Sequence, residues 1–287
     1  MSLGLKGRAL HFVFKIGDRA ESAKFYRDIL GMKVLRHEEF SEGCEATCNG
    51  PYQNRWSKTM VGYGAEDTHF VLELVYNYGV KEYQRGNDFL GIWIKSTDAI
   101  VRAKAYNWPM KAEKQGFALE APGGYPFYIE DGDITKDEDP IQQVTLASSD
   151  VLRTTNYWNG LLGLKIYQED PEKVILGYSD KDVKLKFVKR ASVVREKAYG
   201  RIAFSIPGNM QKKLEERMKE TKNTILTPLT SLDTPGKATV SVIILADPDD
   251  HEICFVDDEN FRKLSEYDPE SNGMLNRYIM KDKSMAK

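Results

Sequence analysis

The chain has 287 residues, of which 41% are hydrophobic and 11% aromatic, enough to fill one large core or two ordinary ones. Its 41 basic and 43 acidic residues give a formal charge of -2 with no long basic run, so neither nucleic-acid binding nor attachment to a membrane surface is indicated. Three cysteines, Cys44, Cys48 and Cys254, make no disulfide framework, and no apolar run approaches the ~20 residues that span a bilayer. We therefore expect a globular, cytoplasmic protein whose partner is a small molecule.

The first copy of an internal repeat begins with the predicted strand "ALHFVFKI". A helix follows, with Asp18 as its N-cap and Gly31 as its stop. Next come the strands "KTMVGYG", "HFVLELVY" and "LGIWIKS", a helix near 98–106, and the strand pair "FALEAPGGYPFYIE". Residues 41–58 have no counterpart later in the chain and are predicted to form an inserted loop.

The second copy repeats this order. The segment "DVLRTTNYWNGLLGLKIY" at 150–167 matches "DRAESAKFYRDILGMKVL" at 18–35. Around it the sequence predicts the strands "QQVTLASS", "KVILGYS", "VKLKFVK" and "YGRIAFSI", a helix near 209–220, and the strand pair "TVSVIILADPDDHEICFV". We predict two domains, residues 1–132 and 139–260, joined by a polar linker and followed by a C-terminal helix and frayed tail, 261–287.

Two predicted strands of the first copy carry polar residues on one face. Alternation in "ALHFVFKI" assigns Leu10 and Phe12 to the packing face, so His11 and Lys15 point the other way. In "HFVLELVYNYG" the same alternation exposes Glu73 to the concave side, where it could meet His11 across neighbouring strands. A buried carboxylate needs a partner. Both a metal ion and an arginine satisfy that need.

The segments "ALHFVFKIGD", "FYRDILGMKVL", "VLELVYNYGV" and "ADPDDHEICFV" resemble glyoxalase I, or lactoylglutathione lyase, of the vicinal-oxygen-chelate superfamily. The resemblance implies an α+β fold of tandem vicinal-oxygen-chelate domains, in which paired βαβββ modules curl into open barrels. It also implies detoxification of 2-oxoaldehydes, by isomerising the glutathione–methylglyoxal hemithioacetal to S-lactoylglutathione. Zinc or nickel would be the cofactor and glutathione the co-substrate. The resemblance suggests the cytosol, with mitochondrial presence also possible.

The resemblance places His11 and Glu73 at the first two metal-ligand positions of the family. The third and fourth positions fall on Gly91 and Tyr128, or on Arg201 and Cys254 if the two copies exchange halves, and the sequence leaves that pairing open. The candidate metal ligands are therefore His11, Glu73 and Cys254, with Glu73 also the candidate catalytic base. In the alternative, Arg201 pairs with Glu73 and replaces the metal. The equivalent site of the second copy has lost its ligands.

Basic and amide residues near the family's glutathione positions are the candidates for substrate binding: Lys15, Asn77, Lys197, Lys237 and Arg201. Cations suit the carboxylates of glutathione. A second hypothesis is a non-catalytic protein that binds a small metabolite or glutathione conjugate in a degenerate site. A dioxygenase-like activity is disfavoured, because the ligating histidine that it needs on the facing module is absent.

Overall fold

The computed structural model describes residues 3–135, 138–233 and 237–284. Strands of the first copy are β1 Arg8–Lys15, β2 Lys33–Phe40, β3 Trp56–Gly62, β4 Val71–Asn77, β5 Phe89–Lys95, β6 Met110–Glu113, β7 Gly116–Ala121 and β8 Tyr125–Glu130. Strands of the second copy are β9 Ile141–Ser148, β10 Lys165–Asp170, β11 Lys173–Gly177, β12 Lys184–Lys189, β13 Arg201–Ile206, β14 Ile225–Leu232, β15 Val240–Ala246 and β16 Glu252–Asp257. The helices are α1 Arg19–Ala23, α2 Thr97–Ala105, α3 Val151–Thr155, α4 Gly208–Glu220, α5 Asp258–Leu264 and α6 Ser271–Lys281.

The helix that opens each copy starts where the sequence predicts. The Asp18 carboxylate accepts a hydrogen bond from the backbone N–H of Glu21 at 2.9 Å, which satisfies one of the free N–H groups at the start of α1. Helix α1 continues as a π-helical segment, Lys24–Ile29, and the same widening follows α3. Gly31 then adopts a φ of +78°, the left-handed conformation that commonly ends a helix.

The strands form two eight-stranded mixed sheets, and each sheet takes half of its strands from each copy. The first sheet has the order β14-β15-β16-β13-β1-β4-β3-β2, and the second has the order β10-β11-β12-β9-β5-β8-β7-β6. Antiparallel pairing of β1 with β13 joins the first quarter of the chain to the last. The predicted fold of paired modules in open, curled sheets is confirmed. Of the two pairings that the sequence left open, the structure has the exchanged one, in which each sheet combines a module of the first copy with a module of the second. The predicted domain boundaries, 1–132 and 139–260, stay a prediction.

The main core lies between the two sheets. Phe14 of β1 packs against Phe89, Tyr125 and Phe127 of the second sheet, with ring centroids 4.7 to 5.9 Å apart. One prediction of alternation is wrong: Leu10 packs on the opposite side, in a smaller cluster with Ala203 and Phe261. The register of β1 against β13 shifts between Ala9 and His11, and such a bulge reverses the side on which a residue points.

The C-terminal segment is docked on the first sheet. Ser271 Oγ of α6 donates to the Val34 carbonyl at 2.9 Å, and Arg19 forms an ion pair with Asp282 at 3.0 Å. The expectation of a frayed end is therefore wrong as far as residue 284, and residues 285–287 lie outside the described part. Among the described residues, no helix is long and apolar enough to cross a membrane.

Candidate functional site

A cavity of about 360 Å³ lies on the concave side of the first sheet. Four of the predicted site residues line it: His11, Glu73, Arg201 and Cys254. Because β13 and β16 lie beside β1 and β4, the exchange of halves brings Arg201 and Cys254 here, and not Gly91 and Tyr128. Apolar side chains form much of the remaining wall, among them Trp56, Val242 and Phe261. The volume falls in the range of small-molecule sites.

His11 is held by a buried carboxylate that the sequence analysis did not identify. His11 Nδ1 lies 2.6 Å from Glu66 Oε1, and the other oxygen of Glu66 accepts from Arg36 Nη2 at 2.9 Å. Burial alone would raise the pKa of Glu66, but its contacts with His11 and Arg36 outweigh burial and hold that pKa below its usual value. An ionised carboxylate can only accept a hydrogen bond. His11 Nδ1 therefore carries the proton of this bond.

Glu73 faces the other nitrogen of His11. Its Oε2 lies 3.5 Å from His11 Nε2, and both residues are only 7% exposed. Parallel pairing places Val13 of β1 beside Glu73 of β4, which puts the two polar side chains on one face as alternation predicts. The predicted meeting of His11 and Glu73 thus occurs. An imidazole with one nitrogen fixed by Glu66 presents its second nitrogen toward Glu73.

Arg201 does not pair with Glu73, so that expectation is wrong. Its Nη2 lies 2.7 Å from Glu252 Oε2, and its Nη1 donates to the Ala46 carbonyl at 3.0 Å. The reason is the register of the sheet, because parallel β13 and β16 place Arg201 and Glu252 side by side. Burial would lower the pKa of Arg201, but the charge of Glu252 raises it. Glu252 therefore neutralises the charge of Arg201, and Glu73 does not form an ion pair with Arg201.

The residues present do not fit the four-ligand metal site that the resemblance implies. Arg201 stands at the third position, and a guanidinium has no lone pair to give. Burial raises the pKa of the Cys254 thiol to about 12, although the charge of Arg201 opposes that shift. Within the described ranges, no three His, Cys, Asp or Glu side chains converge closely enough to hold a metal ion.

The remaining candidates for substrate binding lie outside the lining of this cavity. Lys15 Nζ donates to the Tyr199 carbonyl at 2.7 Å and lies 3.4 Å from the centre of the Tyr199 ring. The Asn77 amide is fully buried, and its hydrogen bonds go to Asn49 and Tyr83. Lys237 pairs with Glu38 at 3.1 Å, and Lys197 is exposed. Their role toward glutathione stays a prediction.

Two features of the site escaped sequence reasoning. Glu66 lies in the turn before β4, where no strand or helix periodicity assigns a direction to its side chain. The inserted loop, 41–55 between β2 and β3, forms part of the cavity wall, and its Cys44 and Cys48 are joined by a disulfide. The charge of Glu66 gave no signal either, because an acidic residue in a polar turn is ordinarily exposed, and only the structure shows that Glu66 is buried.

The chain matches two family models. Residues 150–264 match the C-terminal domain of glyoxalase domain-containing protein 4-like proteins, and residues 91–131 match the N-terminal model of glyoxalase domain-containing protein 4. Glyoxalase domain-containing protein 4 of Rattus norvegicus is 54% identical over 281 residues, which cover 96% of this chain and 94% of that protein. The chain belongs to the glyoxalase domain-containing protein 4 family.

One further relative and one solved structure are also similar to this chain. "Glyoxalase 1" of Caenorhabditis elegans is 44% identical, over 98% of this chain and 99% of that protein. Among solved structures, glyoxalase I from Zea mays superposes with a TM-score of 0.73 at 24% identity, covering 90% of this chain and 96% of that chain. The family is thus shown by sequence, and the likeness to the maize structure shows the fold. The sequence relatives support a lyase-type enzyme.

Proposed function

We propose that this chain isomerises the hemithioacetal of glutathione and a 2-oxoaldehyde such as methylglyoxal to S-lactoylglutathione. The observation that carries the proposal is the pair of His11 and Glu73, 3.5 Å apart in a cavity of about 360 Å³. The relatives named glyoxalase 1 support the same reaction class. Glu66 and Arg36 fix the imidazole, so the polar pair is positioned before substrate enters.

The reaction moves one proton between two adjacent carbons of the substrate. One carboxylate beside both carbons can take the proton and return it, and Glu73 is the acid–base candidate in the cavity. Negative charge develops on the substrate oxygen while the proton is away. With Nδ1–H donated to Glu66, the imidazolium form of His11 would also donate a hydrogen bond from Nε2 to that oxygen.

A second candidate function is binding of a glutathione conjugate without catalysis. The pair of Arg201 and Glu252 favours it, because Arg201 occupies a metal-ligand position of the family and is already neutralised. A binding protein would need the cavity and its polar wall, and it would not need Glu73 as a base. Activity and affinity therefore separate the two functions.

The test compares the purified full-length protein with Glu73→Gln, following formation of the thioester from the hemithioacetal. Both are assayed after treatment with a chelator and after addition of zinc or nickel. Glu42→Gln is the matched control, because Glu42 also lines the cavity but is exposed. We expect activity in the wild type and the control, and a loss of 100-fold or more in Glu73→Gln, on the order of what removing a general base costs.

The same proteins are titrated with S-methylglutathione by calorimetry. Binding without activity under any metal condition would replace the isomerase proposal by the binding function. Activity that is equal in Glu73→Gln and wild type would remove Glu73 from the catalytic role.

A further inference from the structure

The disulfide between Cys44 and Cys48 faces the same cavity. Their Cα atoms lie 5.4 Å apart, within the range of natural disulfides. Both residues are half-buried and line the cavity, so a small molecule that enters it reaches the sulfurs. Cys254, the remaining cysteine, is free and lines the same space. Neither the isomerase nor the binding function uses this disulfide.

The disulfide closes a short ring of residues that is held on Arg201. Inside this ring, the Ala46 carbonyl accepts from Arg201 Nη1 at 3.0 Å, and the Thr47 carbonyl accepts from Nη2 at 3.3 Å. Thr47 has a φ of +51°, a conformation that β-branched residues rarely adopt. The Thr47 N–H donates to the Cys44 carbonyl at 2.8 Å. The disulfide and Arg201 therefore restrain this part of the wall, beside the hydrogen bonds of Asn49 to Asn77.

We propose that the Cys44–Cys48 disulfide is a thiol-exchange site, at which a low-molecular-weight thiol enters the cavity and opens the ring that forms its wall. The proposal requires only that a small thiol reach the two sulfurs, so it does not rest on the isomerase function. Half-exposed disulfides are the ones that small thiols exchange with, whereas fully buried ones resist reduction. Opening the ring removes the covalent restraint on Thr47 and leaves its hydrogen bonds to Arg201 and to the neighbouring backbone.

The exchange balances with the thiol as its co-reactant. The thiolate of the small thiol attacks one sulfur of the disulfide and forms a mixed disulfide with it. The bond between Cys44 and Cys48 breaks, and its electron pair leaves on the other cysteine, which takes up the proton that the small thiol released. A second small thiol attacks the mixed disulfide and departs as the oxidised small disulfide. The protein is then reduced by two electrons, which the two thiols supplied.

The experiment counts thiols in the full chain. The protein is equilibrated with oxidised and reduced glutathione at a series of ratios, quenched in acid, unfolded, alkylated with iodoacetamide so that buried thiols also react, and measured by mass spectrometry. In oxidised glutathione we expect one alkylated cysteine, Cys254, and in excess reduced glutathione we expect all three. Three alkylated cysteines at every ratio would overturn the proposal, because no disulfide would then form. One alkylated cysteine at every ratio would also overturn it, because glutathione would not reach the bond.

Two variants localise the exchange. Cys48→Ser leaves Cys44 without its partner, and we expect it to take up one glutathionyl group on Cys44 from oxidised glutathione. The matched control, Cys254→Ser, keeps the pair and should show no alkylated cysteine when oxidised and two when reduced. Glutathione uptake on Cys254 alone in the Cys48→Ser variant contradicts the proposal. The Gly50 N–H donates to the Thr47 carbonyl at 2.9 Å, so its amide reports on the same ring. Hydrogen exchange at the Thr47 and Gly50 amides should be faster in the reduced wild type, and equal exchange would refute the coupling to the wall.

Discussion

Glu66 links His11 to Arg36, and replacing it by leucine should destabilise the protein strongly. The substitution removes two charge-assisted hydrogen bonds, 2.6 Å to His11 and 2.9 Å to Arg36, each worth about 1.5–3 kcal/mol. It also leaves Arg36, which is only 2% exposed, with a charge that its remaining partners only partly compensate. Breaking a buried ion pair from one side costs about 3–5 kcal/mol, which agrees with the sum over the two bonds.

The assay is urea unfolding of the wild type, Glu66→Leu, Arg36→Met and the double variant. We expect each single substitution to lower the free energy of unfolding by about 3–5 kcal/mol. The double variant should lose much less than the sum of the two, because an apolar pair of similar volume replaces the ion pair. Glu45→Gln, at an exposed carboxylate beside the cavity, should stay within about 0.5 kcal/mol of the wild type. A loss below about 1 kcal/mol in Glu66→Leu, or simple additivity in the double variant, would refute the reasoning.

Three further predictions concern groups around the same sheet. Burial would raise the pKa of Glu38, but the charges of Lys58, Arg36 and Lys237 outweigh burial and lower that pKa to about 2. The contribution of the Glu38 carboxylate to stability is therefore complete above its ordinary pKa near 4.5 and is lost as pH falls toward 2. Glu38→Gln should flatten the fall of the urea midpoint over that window, and an unchanged slope would argue against the assignment. Burial lowers the pKa of Lys15 to about 7, although the charge of Glu252 opposes the shift. Between pH 7 and 10.5 the unfolded chain therefore binds more protons than the folded protein, and the free energy of unfolding rises with pH. Lys15→Met should remove that rise, which unfolding curves across this range would detect, and a rise that persists would assign it to another group. Asn77→Ala deletes three hydrogen bonds, two that tie the inserted loop to β4 and one to Tyr83, and the free energy of unfolding should fall by about 2–3 kcal/mol. A loss of less than about 0.5 kcal/mol in urea unfolding would show that Asn77 does not anchor the loop.

The sequence by itself determined the repeat, the elements and the polar face. Helix caps such as Asp18 and stops such as Gly31 act over a few residues, so their signals are complete within a short segment. Alternation along a strand likewise assigned His11 and Glu73 to one face. The same reasoning failed at Leu10, because a bulge depends on the partner strand and leaves no local pattern.

Only the tertiary structure decided which modules pair and which charges meet. The two copies repeat the same order of strands, so the sequence pattern does not show which strand pairs with β1. Packing between distant segments places β13 there. That choice sets Arg201 beside Glu252, and it leaves Glu73 facing His11. Glu66 joins the site from an irregular turn, where a side chain's direction follows from its buried partners and not from periodicity. Local chemistry fixed the elements, and long-range contacts fixed the site.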